Sequence, residues 1–102
     1  MELSDYRARI DQIDRQLVEL FAQRMNTAAG IAAYKKEHGL PVLDPVRERE
    51  KLLDVAAQAP EDMRDYTASL YTMLFELSRC YQGRLLGSTS LSLIHISEPT
   101  RL

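Results

Sequence analysis

SDYRARIDQIDRQLVELFAQRMNTAAGIAAYKKEH, residues 4–38, decides the fold, because it holds no proline and a single glycine, Gly30. Arg7, Ile10, Asp14, Leu17, Phe21, Arg24, Ala28, Ile31 and Lys35 recur along it at alternating spacings of three and four, the signature of one face of a long α-helix. Ser4 followed by Asp5 predicts its start, and Gly39 with Pro41 beyond it predicts its end near His38. At ~1.5 Å per residue this helix would be ~50 Å long, whereas a compact chain of ~100 residues has a radius of gyration of only ~13 Å. Its own chain cannot cover it, so a second copy lying along it, a homodimer, is expected.

The stripe carries a contradiction that points to function. Arg7, Arg24 and Lys35 stand where buried apolar side chains would normally go, and an unpaired buried cation is costly. Few internal carboxylates are obvious partners, so an anionic ligand is the leading expectation. Arg24 and Lys35 are eleven positions apart, ~16 Å along the axis and almost the same facing, so two long side chains could grip a small dianion between them. Arg7 lies ~25 Å before Arg24, too far to share that ligand on one helix. An antiparallel partner removes the difficulty by bringing Arg7 of one subunit beside Arg24 and Lys35 of the other.

Downstream, Asp44 followed by Pro45 predicts a second helix from Pro45 to about Gln58, since aspartate caps free N–H groups and proline at the first helical position has no N–H to lose. A third helix is expected from around Pro60, with Glu61 and Asp62 at its positive end and Met63, Tyr66, Leu70, Met73, Leu74, Leu77 and Tyr81 as its apolar row, ending near Leu85 to Gly87. No stretch alternates as a strand does. The fold class is therefore all-α: three helices, long, short and long, in an intertwined homodimer.

Composition bounds the rest. The 102 residues are 45% hydrophobic and 27% charged with no tryptophan, which suits one small domain. A formal charge of -2, with basic residues spread along helices, excludes bulk nucleic-acid binding and makes any bound anion small. Cys80 is the one cysteine, so no internal disulfide or cysteine-based zinc site can form. With no hydrophobic signal core and no run of eighteen apolar residues, a cytoplasmic protein without membrane attachment is expected. The segment LSLIHISEPTR, from Leu91 to Arg101, breaks the helical pattern and resembles a translated sequencing adapter joined to a truncated reading frame. Residues 1–86 are taken as the native domain, and 87–102 as a non-native tail.

The other helices offer polar company for the cations. Arg47 and Glu48 fall in the first turn of the second helix, where free N–H groups favour negative charge. Ser78 and Gln82 sit one turn apart on the third and extend the row of Leu70 and Leu74.

On these residues the chain resembles the all-helical chorismate mutases. The resemblance is carried by RxxIDxID at Arg7 to Asp14, by Arg24 and Lys35 within AQRMNTAAGIAAYK, by LPVLDPVRERE from Leu40 to Glu50 and by ELSRCYQ from Glu76 to Gln82. It spans about Leu3 to Leu85 and looks most like the mutase part that precedes a prephenate dehydratase in bifunctional enzymes. It implies an isomerase that converts chorismate to prephenate on the route to phenylalanine and tyrosine. It further implies that Arg7 from the partner subunit and Arg24 pair with substrate carboxylates and that Arg47 completes the grip. Lys35 and Gln82 would bind the ether oxygen, Glu48 with the Asp44 backbone would place the ring hydroxyl, and Ser78 would touch a carboxylate.

The reaction breaks one carbon–oxygen bond as a carbon–carbon bond forms within one molecule, so it needs no nucleophile, metal or redox cofactor. Holding the reactive conformer and placing positive charge at the ether oxygen suffice. Other readings are a related enzyme that cleaves isochorismate to release pyruvate, a non-catalytic dimerisation or sensing module, and a plain coiled coil with charged seam positions. The last gives Ser78, Gln82 and the Asp44-Pro45 start no reason.

Overall fold

The structure, a computed structural model, describes residues 1–85. Helix α1 spans Leu3–Glu37, α2 spans Pro45–Gln58 and α3 spans Arg64–Leu85, with a single 3-10 turn, Glu61–Met63, leading into the last. The order long, short, long is the expected one, with no strand among the described residues. The tail from residue 87, and its expected boundary at residue 86, lie outside the described residues.

Local chemistry sets each helix end. The start of α1 falls one residue before Ser4, because Glu2, with extended backbone, is the cap residue and its N–H donates to Asp5 Oδ2 at 3.0 Å. At the other end His38 is the cap, and Gly39 takes φ +69°, a conformation that costs a side-chain-bearing residue steric strain. That turn lets Leu40 N–H reach Lys35 O at 2.7 Å and Gly39 N–H reach Lys36 O at 3.3 Å, the paired bonds that satisfy the last carbonyls of a helix. Asp44 Oδ1 accepts from Arg47 N–H at 3.0 Å, with Pro45 in the first position of α2 as expected. The third helix does not open as an α-helix at Pro60. Met63 N–H bonds back to Pro60 O at 2.8 Å, so its first turn is 3-10 and regular α-helix begins at Arg64.

Helix α3 is the shared element, packing against both α1 and α2. Its side chains meet α1 in step, Ser78 beside Arg24 and Met25 and Gln82 beside Ala28, so the two helices run the same way where they touch. Very little is sealed off: Ala32 at 2% exposure and Val55 at 8% are the buried apolar side chains, joined by Ser78 at 6%.

The expected buried face of α1 is therefore only half covered. Phe21, Arg24, Ala28 and Lys35 are half-buried, but every residue from Leu3 to Leu20 is exposed, including Ile10, Leu17 and Arg7, and so is Ile31. The apolar row of α3 also faces outward at Met63, Tyr66, Leu70 and Met73. The physical reason is reach. The chain extends 54 Å in its longest dimension, close to the ~52 Å of a 35-residue helix, and two shorter helices cannot wrap all of it. The radius of gyration, 16.3 Å, exceeds the ~13 Å of a compact chain of this size for the same reason.

Candidate active site

Where the C-terminal half of α1 meets α3 and the start of α2, a cleft of about 610 Å³ opens. Arg24 and Lys35 reach it from α1, Asp44, Arg47 and Glu48 from the beginning of α2, and Ser78 and Gln82 from α3. Three separate segments of the chain thus deliver seven of the eight expected side chains to one hollow. Arg7 is not among them. It lies on the exposed stretch of α1, ~25 Å along a straight helix from Arg24.

Contacts hold Arg24, Ser78 and Gln82 in place. Arg24 Nη1 donates to Ser78 Oγ at 3.4 Å, and its guanidinium carbon lies 5.4 Å from the Tyr71 ring centroid and 5.7 Å from that of Phe75. Two aromatic faces within ~6 Å support a cation without neutralising it. The buried Ser78 hydroxyl donates in turn to Met25 Sδ at 3.6 Å, so that with Arg24 on one lone pair the other stays open. Gln82 Nε2 donates to Ala28 O at 3.4 Å, which orients the amide against α1 and leaves its second N–H uncommitted.

Lys35 has an internal carboxylate after all. Its Nζ lies 3.8 Å from Asp44 Oδ2, because the Gly39 turn folds the chain back far enough to bring the cap of α2 over the last turn of α1. With Asp44 46% exposed the pair is worth only ~0.2–1 kcal/mol. At 3.8 Å it is also too long for a hydrogen bond, so the ammonium donors remain available. Asp44 thus steers Lys35 without occupying it.

Two features escaped the sequence reading. Arg79 lines the cleft and its Nη1 contacts both oxygens of Glu48, at 2.7 and 2.6 Å. Tyr71 and Phe75 form the aromatic shelf under Arg24. A signal existed in each case: Phe75 is three residues before Ser78, and Arg79 three before Gln82, the spacing that puts side chains on neighbouring strips of one helix. Taken together the lining has five basic side chains, Arg24, Lys35, Lys36, Arg47 and Arg79, against two carboxylates, Asp44 and Glu48. In a chain of net charge -2 that local excess defines an anion-receiving cleft with apolar walls at Ile31, Val42 and Leu43. Among the described residues no helix is long and apolar enough to cross a membrane.

Fold and cleft define a small all-helical unit with a hollow lined by an excess of positive charge. The chain belongs to the chorismate mutase type II family, whose description matches residues 6–83. Similar proteins include a T-protein of Haemophilus influenzae, 44% identical over 46 residues that cover 45% of this chain and 12% of that one. A chorismate mutase of Methanocaldococcus jannaschii is 38% identical over 48 residues, 47% of this chain and 48% of the other. A T-protein of Enterobacter agglomerans is 37% identical over 51 residues, 50% of this chain and 14% of its own. The matched stretches span about half or less of those relatives' lengths. No solved structure gives a significant match.

Proposed function

We propose that residues 1–86 form a chorismate mutase unit that rearranges chorismate to prephenate in aromatic amino acid biosynthesis. The observation that carries this reading is the cleft itself. Arg24 and Lys35, three turns apart on one face of α1, look into a positively charged hollow closed by Ser78, Gln82 and the start of α2.

The chemistry follows from those positions. Arg24, braced on two rings and Ser78, receives one substrate carboxylate, and Ser78 touches the same group. Arg47, which has no ion-pair partner among the described residues, adds to the grip. These contacts fold a flexible dianion into the compact conformer in which the reacting carbons meet, a service that supplies several kcal/mol of the barrier reduction. As the ether bond breaks, charge grows on its oxygen. The Lys35 ammonium and the free N–H of Gln82 stabilise that charge with donors already in place. Glu48 and the Asp44 backbone receive the ring hydroxyl and fix the substrate's direction. The scheme calls for no cofactor.

Arg7 enters from a second copy. In support, the exposed stretch of residues 3–20 leaves an apolar stripe of Ile10, Ile13, Leu17 and Leu20 open along about three turns. Covering side chains of this size contributes ~1.5–3 kcal/mol each, and a twofold arrangement covers both stripes while giving each cleft the Arg7 of the partner. A cytoplasmic location, in keeping with the lone Cys80, belongs to the same proposal.

The test is the loss of chorismate absorbance with the purified chain, with prephenate identified as product. Turnover that falls at least ~100-fold in Arg24→Ala is expected. No turnover by the unaltered chain, or pyruvate release from isochorismate in its place, overturns the reading.

A further inference from the structure

Arg79 has no part in the roles set out above, yet it makes the shortest side-chain hydrogen bonds among the described residues. Its Nη1 sits astride the Glu48 carboxylate, 2.7 Å from Oε1 and 2.6 Å from Oε2. The pair ties α3 to the first turn of α2 at the cleft, and both residues line it. Nearer cations in the sequence do not compete: Arg47 points no ion pair at Glu48, and Lys51, one turn on, pairs with Asp54 at 3.6 Å.

As a stabilising contact this pair is minor. Arg79 is 40% exposed and Glu48 32%, a setting in which ion pairs add little to folding. What it does fix is direction. A free glutamate samples many rotamers, whereas a carboxylate held through both oxygens by one nitrogen has a single orientation. Its outer lone pairs stay open to accept a hydroxyl from a ligand. The remaining N–H groups of Arg79, on Nε and Nη2, donate to no protein acceptor among the described residues.

We infer that Arg79 is a positioning residue: by clamping Glu48 it sets the direction from which the ring hydroxyl of the bound dianion is received. This rests on the reading of Glu48 proposed above. Arg79 acts through Glu48 and forms or breaks no covalent bond.

The experiment compares the full chain with Arg79→Ala, Arg79→Lys, Glu48→Gln and the Arg79→Ala/Glu48→Gln double variant, in steady-state turnover of chorismate and in thermal melts. Displacing a substrate-orienting group by ~1 Å costs up to ~100-fold, so Arg79→Ala lowers kcat by ~10- to 100-fold while Arg79→Lys recovers part of the loss. On the Glu48→Gln background the same Arg79→Ala change costs less than ~3-fold, since no carboxylate is left to orient. Equal losses on both backgrounds, or a rise in KM alone, make Arg79 a bulk attractive charge and overturn the inference. A loss equal in Ala and Lys variants and matched by a lower melting temperature makes it a structural tie and also overturns it. Should Arg79→Ala fail to fold, Arg79→Gln, which keeps side-chain bulk without charge, is read by the same criteria. Unchanged kcat in Arg79→Ala overturns this inference and leaves the mutase reading standing, whereas an unaltered chain inert toward chorismate overturns both.

Discussion

Replacing Lys35 by alanine separates what this side chain does for catalysis from what it does for the fold. Lys35 lies in the last turn of α1, where a cation facing the helix dipole stabilises by ~0.3–1 kcal/mol, and its contact with the half-exposed Asp44 adds ~0.2–1 kcal/mol. Its backbone carbonyl, which accepts from Leu40 N–H at 2.7 Å, survives the change. The stability loss is therefore at most ~2 kcal/mol, and for a domain of this size each kcal/mol lowers Tm by ~4–8 °C. The catalytic loss is larger. Removing one preorganised donor at a developing oxyanion costs ~100- to 1,000-fold in turnover, or ~2.7–4 kcal/mol of transition-state stabilisation. A melt followed by circular dichroism and an absorbance assay well below Tm read the two separately. A folded Lys35→Ala chain with near-normal kcat would refute the assignment of Lys35 to the ether oxygen. A KM effect alone would reduce Lys35 to ground-state binding.

Gln82→Glu is expected to shift the pH–rate profile to acid, because a carboxyl donates to the ether oxygen only when protonated while the amide donates at every pH; an unmoved profile removes Gln82 from that contact. Mixing Arg7→Ala with Arg24→Ala subunits, each nearly inactive alone, is expected to restore about a quarter of wild-type activity after exchange, since half the dimers are mixed and each holds one intact site. No recovery under conditions where exchange is shown by size or labelling would argue that Arg7 does not cross between subunits. Gly39→Ala is expected to lower stability by ~1 kcal/mol through its backbone alone, because φ is +69° and a Cβ there meets nothing within 4 Å. A melt unchanged in that variant would show that the turn at the end of α1 adapts freely.

Legibility varied with the range of the interaction. The caps were readable: Asp44-Pro45 and Gly39 act on amides and carbonyls a few residues away, so type and spacing nearly suffice. The opening of α3 was less so, because Pro60, Glu61 and Asp62 suit the start of an α-helix and a 3-10 turn alike. Arg79 reads locally as a solvated helix arginine, and nothing nearby in the sequence says that Glu48, thirty-one residues earlier, lies against it. The carboxylate beside Lys35 is likewise absent from any local pattern, as it depends on how far the Gly39 turn folds the chain back.

By itself the sequence determined the three helices, the end of the first, the start of the second and the strip of cations along the first, because helical periodicity and capping are short-range constraints that hold wherever the helices come to rest. Only the tertiary structure decided which charges share a hollow, that Arg24 rests on Tyr71 and Phe75, and that the first five turns of α1 stay uncovered by their own chain. Those facts depend on where separate helices cross, which the closeness of Ser78 to Arg24 and Met25 and of Gln82 to Ala28 records and no local pattern encodes.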